Sequence, residues 1–173
     1  MLTNLYKTPF PYFGGKSDAA ALVWSALGDV CHYVEPFMGS LAVLLRRPHE
    51  ANRTYYSETV NDLDGMLCNV WRSIQLSPEA VADACSWPVC EADISARHAA
   101  LVRWRAEHEL EHLMGDPAWH DATMAGWWLY GCCAWIGSGW VSGRGPWVVE
   151  CGGRLVLSPH CLQEESPMAQ WLP

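Results

Sequence analysis

The sequence lacks any apolar run of the roughly 18 residues that a helix needs to cross a bilayer, so a helical membrane span is excluded. It also lacks a Cys-x-x-Cys pair, although it holds 8 Cys. Cys31, Cys68, Cys85, Cys90, Cys132, Cys133, Cys151 and Cys161 are scattered, and only Cys85 and Cys90 come near ligand spacing. No second pair follows at finger-like distance, so a zinc knuckle is not indicated and reduced, mostly buried thiols are expected. Met1 to Lys7 shows none of the basic start, apolar stretch and small-residue cleavage site of a secretory signal, and a cytoplasmic location is expected. Basic residues are scarce, with 11 Lys and Arg against 19 Asp and Glu, for a net charge of −8. That sign opposes broad binding to phosphate, which favours basic surfaces. Any basic patch must be local, with Arg46, Arg47 and Arg53 as one candidate group and Arg97, Arg103 and Arg105 as another. No internal repeat is present.

Hydrophobic residues make up 50% of the chain and charged residues only 17%, a balance that excludes wholesale disorder. Its 173 residues suffice for one domain with a sizeable core. The 11 Trp fall mostly after Trp71, so the second half is built from bulky, rigid side chains.

Residues 9–16 form a loop rich in Pro and Gly, Pro9-Phe10-Pro11-Tyr12-Phe13-Gly14-Gly15-Lys16. Ser17-Asp18 is placed to cap a helix from Ala19 to about Leu27. A short β-prone run, Tyr33-Val34, leads into Glu35-Pro36-Phe37-Met38-Gly39-Ser40, and an apolar helix is expected over Leu41–Leu45, closed by Pro48. A second strand over Tyr55–Val60 ends in Asn61-Asp62-Leu63-Asp64, and a helix follows through Ile74. Strand, turn, helix, strand, acidic turn and helix open an α/β doubly wound domain. Beyond Ser77-Pro78-Glu79 the chain reads helical, with one helix from Asp93-Ile94-Ser95 to about Met114 and another from Asp116-Pro117. Glycines at 137, 139, 143, 145, 152 and 153 indicate loop or hairpin over 136–153, and the last fifteen residues carry no period.

In an open α/β sheet ligands bind beyond the carboxyl ends of the strands. Glu35 to Ser40 follows the first strand, where Gly39 lets backbone approach a ligand, and Asp62 follows the second. A carboxylate there can accept from both hydroxyls of a ribose, with Leu63 against an adenine ring. Equally, Asp62 can be the N-cap of its helix and Gly39 a plain turn. The two positions in register favour a nucleoside pocket.

Three motifs carry a resemblance to a known family. The loop at Pro9–Ser17 resembles the opening cofactor motif of the Dam-like DNA adenine methyltransferases. Tyr33–Ser40 is similar to the family's first-strand motif, and Val60-Asn61-Asp62-Leu63-Asp64, with Leu67, Asn69 and Trp71, to the next. The Trp-rich stretch from Gly126-Trp127-Trp128 to Trp135-Ile136-Gly137-Ser138-Gly139-Trp140 resembles the phage-type branch, so the likeness covers roughly residues 7–150. It implies an α/β fold, a partial Rossmann-like sheet of S-adenosylmethionine-dependent methyltransferases with a mainly helical insert. Residues 1–76 would be the cofactor-binding α/β region, 77–150 a helical, Trp-rich target-recognition region, and 151–173 an irregular tail. Tyr12, Gly14 and Lys16 would line the methionine end of S-adenosylmethionine, with Glu35, Pro36, Phe37 and Gly39 beside it, Asp62 on the ribose and Leu63 on the adenine. The partner implied is DNA, and the reaction is methyl transfer to the exocyclic amine of adenine.

The family also carries an Asp-Pro-Pro-Tyr or Asn-Pro-Pro-Tyr tetrapeptide that grips a flipped-out adenine. None occurs here; Asp116-Pro117-Ala118-Trp119 is nearest and reads as a helix start with Pro in the first turn. The strands expected after it are absent too, which would leave the first strand as an open edge. The chain is therefore expected to be a truncated form, inactive alone, whose edge is covered by the Trp-rich segment, a second copy or another chain. The alternative is a non-enzymatic module that binds cofactor or DNA, or that occupies a partner methyltransferase. A third reading starts from His108-Glu109-Leu110-Glu111-His112, which matches the zinc-peptidase pattern His-Glu-x-x-His. Against it, position 118, where a third ligand is expected, is Ala, and Arg103, Arg105 and Glu107 mark a solvated helix. Arg144, in Ser142-Gly143-Arg144-Gly145, is a candidate DNA contact or an exposed turn residue. Trp127, Trp128, Trp135 and Trp140 could stack bases, but such spacing more often marks a core.

Overall fold

The computed structural model describes residues 6–48, 57–136, 140–141, 148–151 and 154–157; at 108–111, 148–151 and 154–157 it describes the backbone. The chain divides into two compact units, residues 1–68 and 69–173.

In the first unit, α1 (Ala20–Leu27) places Ala20 and Trp24 four residues apart on one face. Gly28, at φ 65°, ends it and returns its N–H to the Trp24 carbonyl. Strand β1 (His32–Glu35) alternates, so that Tyr33 and Glu35 point inward while His32 and Val34 stay exposed. Ala20, Trp24, Tyr33 and Val43 form the core, with Val23, Val30 and Leu44 packed around it. Strand β2 (Ser57–Val60) lies parallel to β1, with Tyr33 opposite Glu58 and Glu35 opposite Val60. Among the described residues β2 is the sole partner of β1.

Three local expectations are corrected in these units. The helix expected over Leu41–Leu45 shrinks to a 3-10 turn at Leu44–Arg46. Leu41 has φ 53°, which an α-helix cannot hold, and its N–H returns to the Met38 carbonyl. Ser17 does not cap α1: the N-cap is Ala19, with no side-chain bond, and the Ser17 carbonyl accepts from Arg46. Asp116-Pro117 does not begin a helix but a turn, in which the Asp116 carboxylate accepts from the Ala118 N–H at 2.8 Å.

Helix α2 (Gly65–Leu76) buries Met66, Leu67, Val70 and Ser73 at helical spacing. In the second unit follow α3 (Pro78–Cys85), α4 (Glu91–Gly115) and α5 (Ala122–Ala134). Helix α5 has no charged residue, and Asp121 caps it by accepting from the Met124 N–H. The Asn69 amide fixes that cap, donating to the Asp121 carbonyl at 2.9 Å and accepting its N–H at 2.8 Å. Helix α3 lies so close to α5 that a Cβ on Gly126 would meet the Ala84 Cβ at 2.4 Å. Strands β3 (Val148–Cys151) and β4 (Arg154–Leu157) pair antiparallel, and β4 falls in the stretch 151–173 that was expected to be irregular. No described helix is long and apolar enough to cross a membrane.

Candidate functional site

The opening loop turns at Tyr12-Phe13-Gly14-Gly15, closed by the Gly15 N–H on the Tyr12 carbonyl at 2.9 Å. Gly14 has φ 74°, the sign a type II turn demands at its third position. The turn presents Lys16, whose Nζ donates to the Phe37 carbonyl at 2.6 Å and lies 3.6 Å from Glu35 Oε1. Lys16 therefore joins the opening loop to the tip of β1.

The tips of β1 and β2 are joined as well. The ladder runs past both strands through Asn61 N–H to Glu35 O and Met38 N–H to Asn61 O, each at 2.9 Å. Gly39 then donates its N–H to Asp62 Oδ2 at 3.0 Å. It has φ 49°, and a Cβ there would stand 3.0 Å from the Tyr12 ring. Gly39 is thus fixed by both conformation and space, and Tyr12, Gly39 and Asp62 meet at one place.

Asp62 is not the N-cap of α2. Its Oδ1 accepts from the Asp64 N–H at 3.1 Å, and it is the Asp64 carboxylate that accepts from Met66 in the first helical turn. Two backbone donors on a carboxylate with about four acceptor positions leave capacity for a ligand. Around these polar groups Phe13, Phe37 and Leu63 are almost wholly exposed, Leu63 at 92%. Pro36 is exposed beside them.

Glu35 is 5% exposed, and its carboxylate is divided. Oε2 accepts from the Tyr33 hydroxyl at 3.0 Å, while buried Oε1 has no hydrogen-bond partner. Burial, and then the neighbouring Glu35 carboxylate, push the Tyr33 phenol above its ordinary range, so it remains a proton donor. Sequence reading passed over Tyr33 in this role. The available signal was its place two residues before Glu35 in a strand, which puts both side chains on one face.

Residues 12–91 match the family model of the D12 class N6 adenine-specific DNA methyltransferases. The matched segment holds Tyr12, Gly14, Lys16, Glu35, Pro36, Phe37, Gly39, Asp62 and Leu63. It agrees with the Dam-like resemblance over that stretch and ends before the Trp-rich segment. No curated protein and no solved structure matches the chain.

Of the arginines proposed as basic patches, Arg47 and Arg97 serve the interior, Arg46 is partly buried, and Arg53 lies outside the described residues. Arg47 is 1% exposed and paired with Asp29 and Glu58, so it is no phosphate contact. Buried Arg97 lies among aromatic rings, 4.1 Å from the Tyr130 centroid, 5.7 Å from Trp87 and 5.9 Å from Trp127. Arg103 and Arg105 are exposed on α4. Arg144 lies outside the described residues. Trp128 is buried, and Trp135 stacks on His98 at 5.0 Å, which favours the core reading for both. Of the peptidase-like motif only His112 has a described side chain, and it stacks on Trp119. No group of His, Cys, Asp and Glu able to hold a metal occurs among the described residues.

Proposed function

We propose that this chain is an S-adenosylmethionine-binding, DNA adenine methyltransferase-like protein that does not turn over by itself. The observation that carries the reading is the convergence of the opening loop, the β1 tip and the β2 tip through Lys16–Glu35, Tyr12–Gly39 and Gly39–Asp62. The match of residues 12–91 to the D12 class family model supports reading that convergence as a methyltransferase's cofactor site.

The donor set fits the cofactor. Asp62 retains acceptor capacity for ribose hydroxyls, and exposed Leu63 and Phe37 offer apolar surface to a purine ring. Buried Oε1 of Glu35 lacks a donor that an α-ammonium could supply, while Lys16 could take the carboxylate. When bound, the cofactor supplies an electrophilic methyl group. The residues here bind and orient, and the protein's contribution to such transfer is proximity and alignment.

Turnover needs a group to hold the adenine amine, and the 173 residues contain no Asp-Pro-Pro-Tyr or Asn-Pro-Pro-Tyr. DNA is the substrate this reading calls for. The test is calorimetry with S-adenosylmethionine together with a tritiated-methyl assay on unmethylated DNA. Cofactor binding with no methyl transfer is expected. Absence of binding refutes the reading, and transfer by the isolated chain refutes its second half.

A further inference from the structure

Glu35 is an awkward residue to leave buried. A carboxylate's terminal torsion is broad and two-fold, so packing alone does not decide which oxygen faces which way. Here one oxygen is claimed by the Tyr33 hydroxyl at 3.0 Å. The other has no hydrogen bond, and the nearest cation, Lys16 Nζ, stands off at 3.6 Å with its short bond placed on the Phe37 carbonyl. The Lys16 side chain is 43% exposed, against 6% for that of Glu35.

Tyr33 is itself held on every side. Its ring packs against Trp24 at 4.9 Å between centroids, and Trp24 Nε1 donates to the Val43 carbonyl at 2.7 Å. The Arg47 guanidinium lies over the Trp24 ring at 5.8 Å and is anchored by Asp29 and Glu58. A run of restraints thus leads from the buried Arg47 cluster through Trp24 and Tyr33 to the Glu35 carboxylate.

We propose that Tyr33 is a positioning residue for ligand recognition: its hydroxyl locks Glu35 Oε2, so that Oε1 is held toward Lys16 as the acceptor for a ligand's ammonium group. The inference rests on the cofactor reading above and deepens it. It makes the amino-acid end of the ligand, not the adenosine end, the part that depends on Tyr33. A buried acceptor without a donor favours a ligand that brings one, since an unmade bond in a desolvated place is costly. A hydroxyl on a rigid ring fixes that acceptor before the ligand arrives, which lowers the ordering cost of binding.

The experiment compares two ligands on the full chain by calorimetry: S-adenosylmethionine, and 5′-methylthioadenosine, which has the adenosine and sulfur but no amino-acid group. Tyr33→Phe keeps the ring that packs on Trp24 and removes only the hydroxyl. It is expected to weaken S-adenosylmethionine about 10-fold, the range of one hydrogen bond to a charged group, and to leave 5′-methylthioadenosine within about 2-fold. Glu35→Gln is expected to produce the same split, and adding Tyr33→Phe to it should cost nothing more, because the two act as one unit. Equal weakening of both ligands by Tyr33→Phe, or no change in either, overturns the proposal. An unaltered ratio in Glu35→Gln overturns it as well, even if Tyr33→Phe proves unstable. If the unaltered chain binds neither ligand, the cofactor reading itself has failed; if it binds both and the ratio never moves, only the role of Tyr33 has.

Discussion

The two units differ in where their polar side chains turn. At the strand tips of the first, Phe13, Phe37 and Leu63 stand in solvent, and Glu35 keeps a buried oxygen without a hydrogen bond. The second also holds buried atoms without a hydrogen bond, Ser73 Oγ and Arg97 Nη1, and exposed Trp87, Val89, Met114 and Ile136, but several of its polar side chains tie its own backbone together. Arg72 donates to the carbonyls of Leu113, Asp116 and Trp119, collecting the end of α4 and the turn after it. His98 accepts from the Val141 N–H at 3.3 Å, and Trp140 Nε1 donates to the Trp128 carbonyl at 3.1 Å. Exposed apolar groups beside unsatisfied polar ones are costly unless something binds there. Side chains that bond the backbone of their own unit favour rigidity. Under the proposed function the strand tips take the cofactor, and the Trp-rich helices serve as framework.

The largest effect is expected where a framework glycine faces backbone at close range. Gly126→Ala places a methyl 2.4 Å from the Ala84 Cβ and 2.7 Å from the Val81 carbonyl, and backbone cannot step aside cheaply. A loss of about 3 kcal/mol, the upper end for overpacking, is expected in chemical denaturation. The folded fraction should still bind S-adenosylmethionine with unchanged affinity; a weakened Kd would mean that the helices are part of the site. Asp62→Ala makes the reverse demand. It removes the proposed ribose acceptor and frees the Gly39 N–H, so affinity should fall by roughly 10- to 100-fold, or about 1.4–2.7 kcal/mol. Denaturation midpoints should move less than for Gly126→Ala, because Asp62 is only partly buried. If stability collapses while affinity survives, Asp62 is a structural bracket and not a ligand group.

Much of the first unit was legible because its signals are local. Gly14 and Gly39 lie where a positive φ is needed, and the alternation of β1 places Glu35 inside. The parallel pair follows from two strand–turn units in sequence, whereas Lys16 was set beside Glu35 by the family resemblance alone. One miss was local: Leu41 takes a left-handed φ and turns its N–H back to Met38 three residues earlier, which bends the chain away from helix. Non-local contacts could not be read. Asp116-Pro117 has the local chemistry of a helix start, yet Arg72, 44 residues earlier, holds the Asp116 carbonyl in a turn. Asn69 then sets the cap 52 residues away at Asp121. The arginines misled for the same reason. Arg47 looks like half of a basic pair in sequence, and only the fold reveals Asp29 and Glu58 around it.

The smallest expected effect tests how firmly the second unit is sealed. His98 is 2% exposed, sandwiched against Trp135 and Trp140, and burial pushes its imidazole below the ordinary histidine value. Its Nδ1 accepts the Val141 N–H, a bond open only to the neutral ring. Because the folded value is lowered, the unfolded chain takes up the proton first as pH drops. The stability contributed by neutral His98 is then complete above about pH 6.5, the unfolded value, and is lost progressively as pH falls below it. Denaturation midpoints measured from pH 7.5 down to 5 should decline for the native chain, and the decline should be shallower in His98→Gln, which cannot titrate. Parallel slopes in the two proteins would mean that His98 is solvated and charged in the folded state. The aromatic packing of the second unit would then be open to water, and the division between an open ligand-facing unit and a sealed framework would lose its second term.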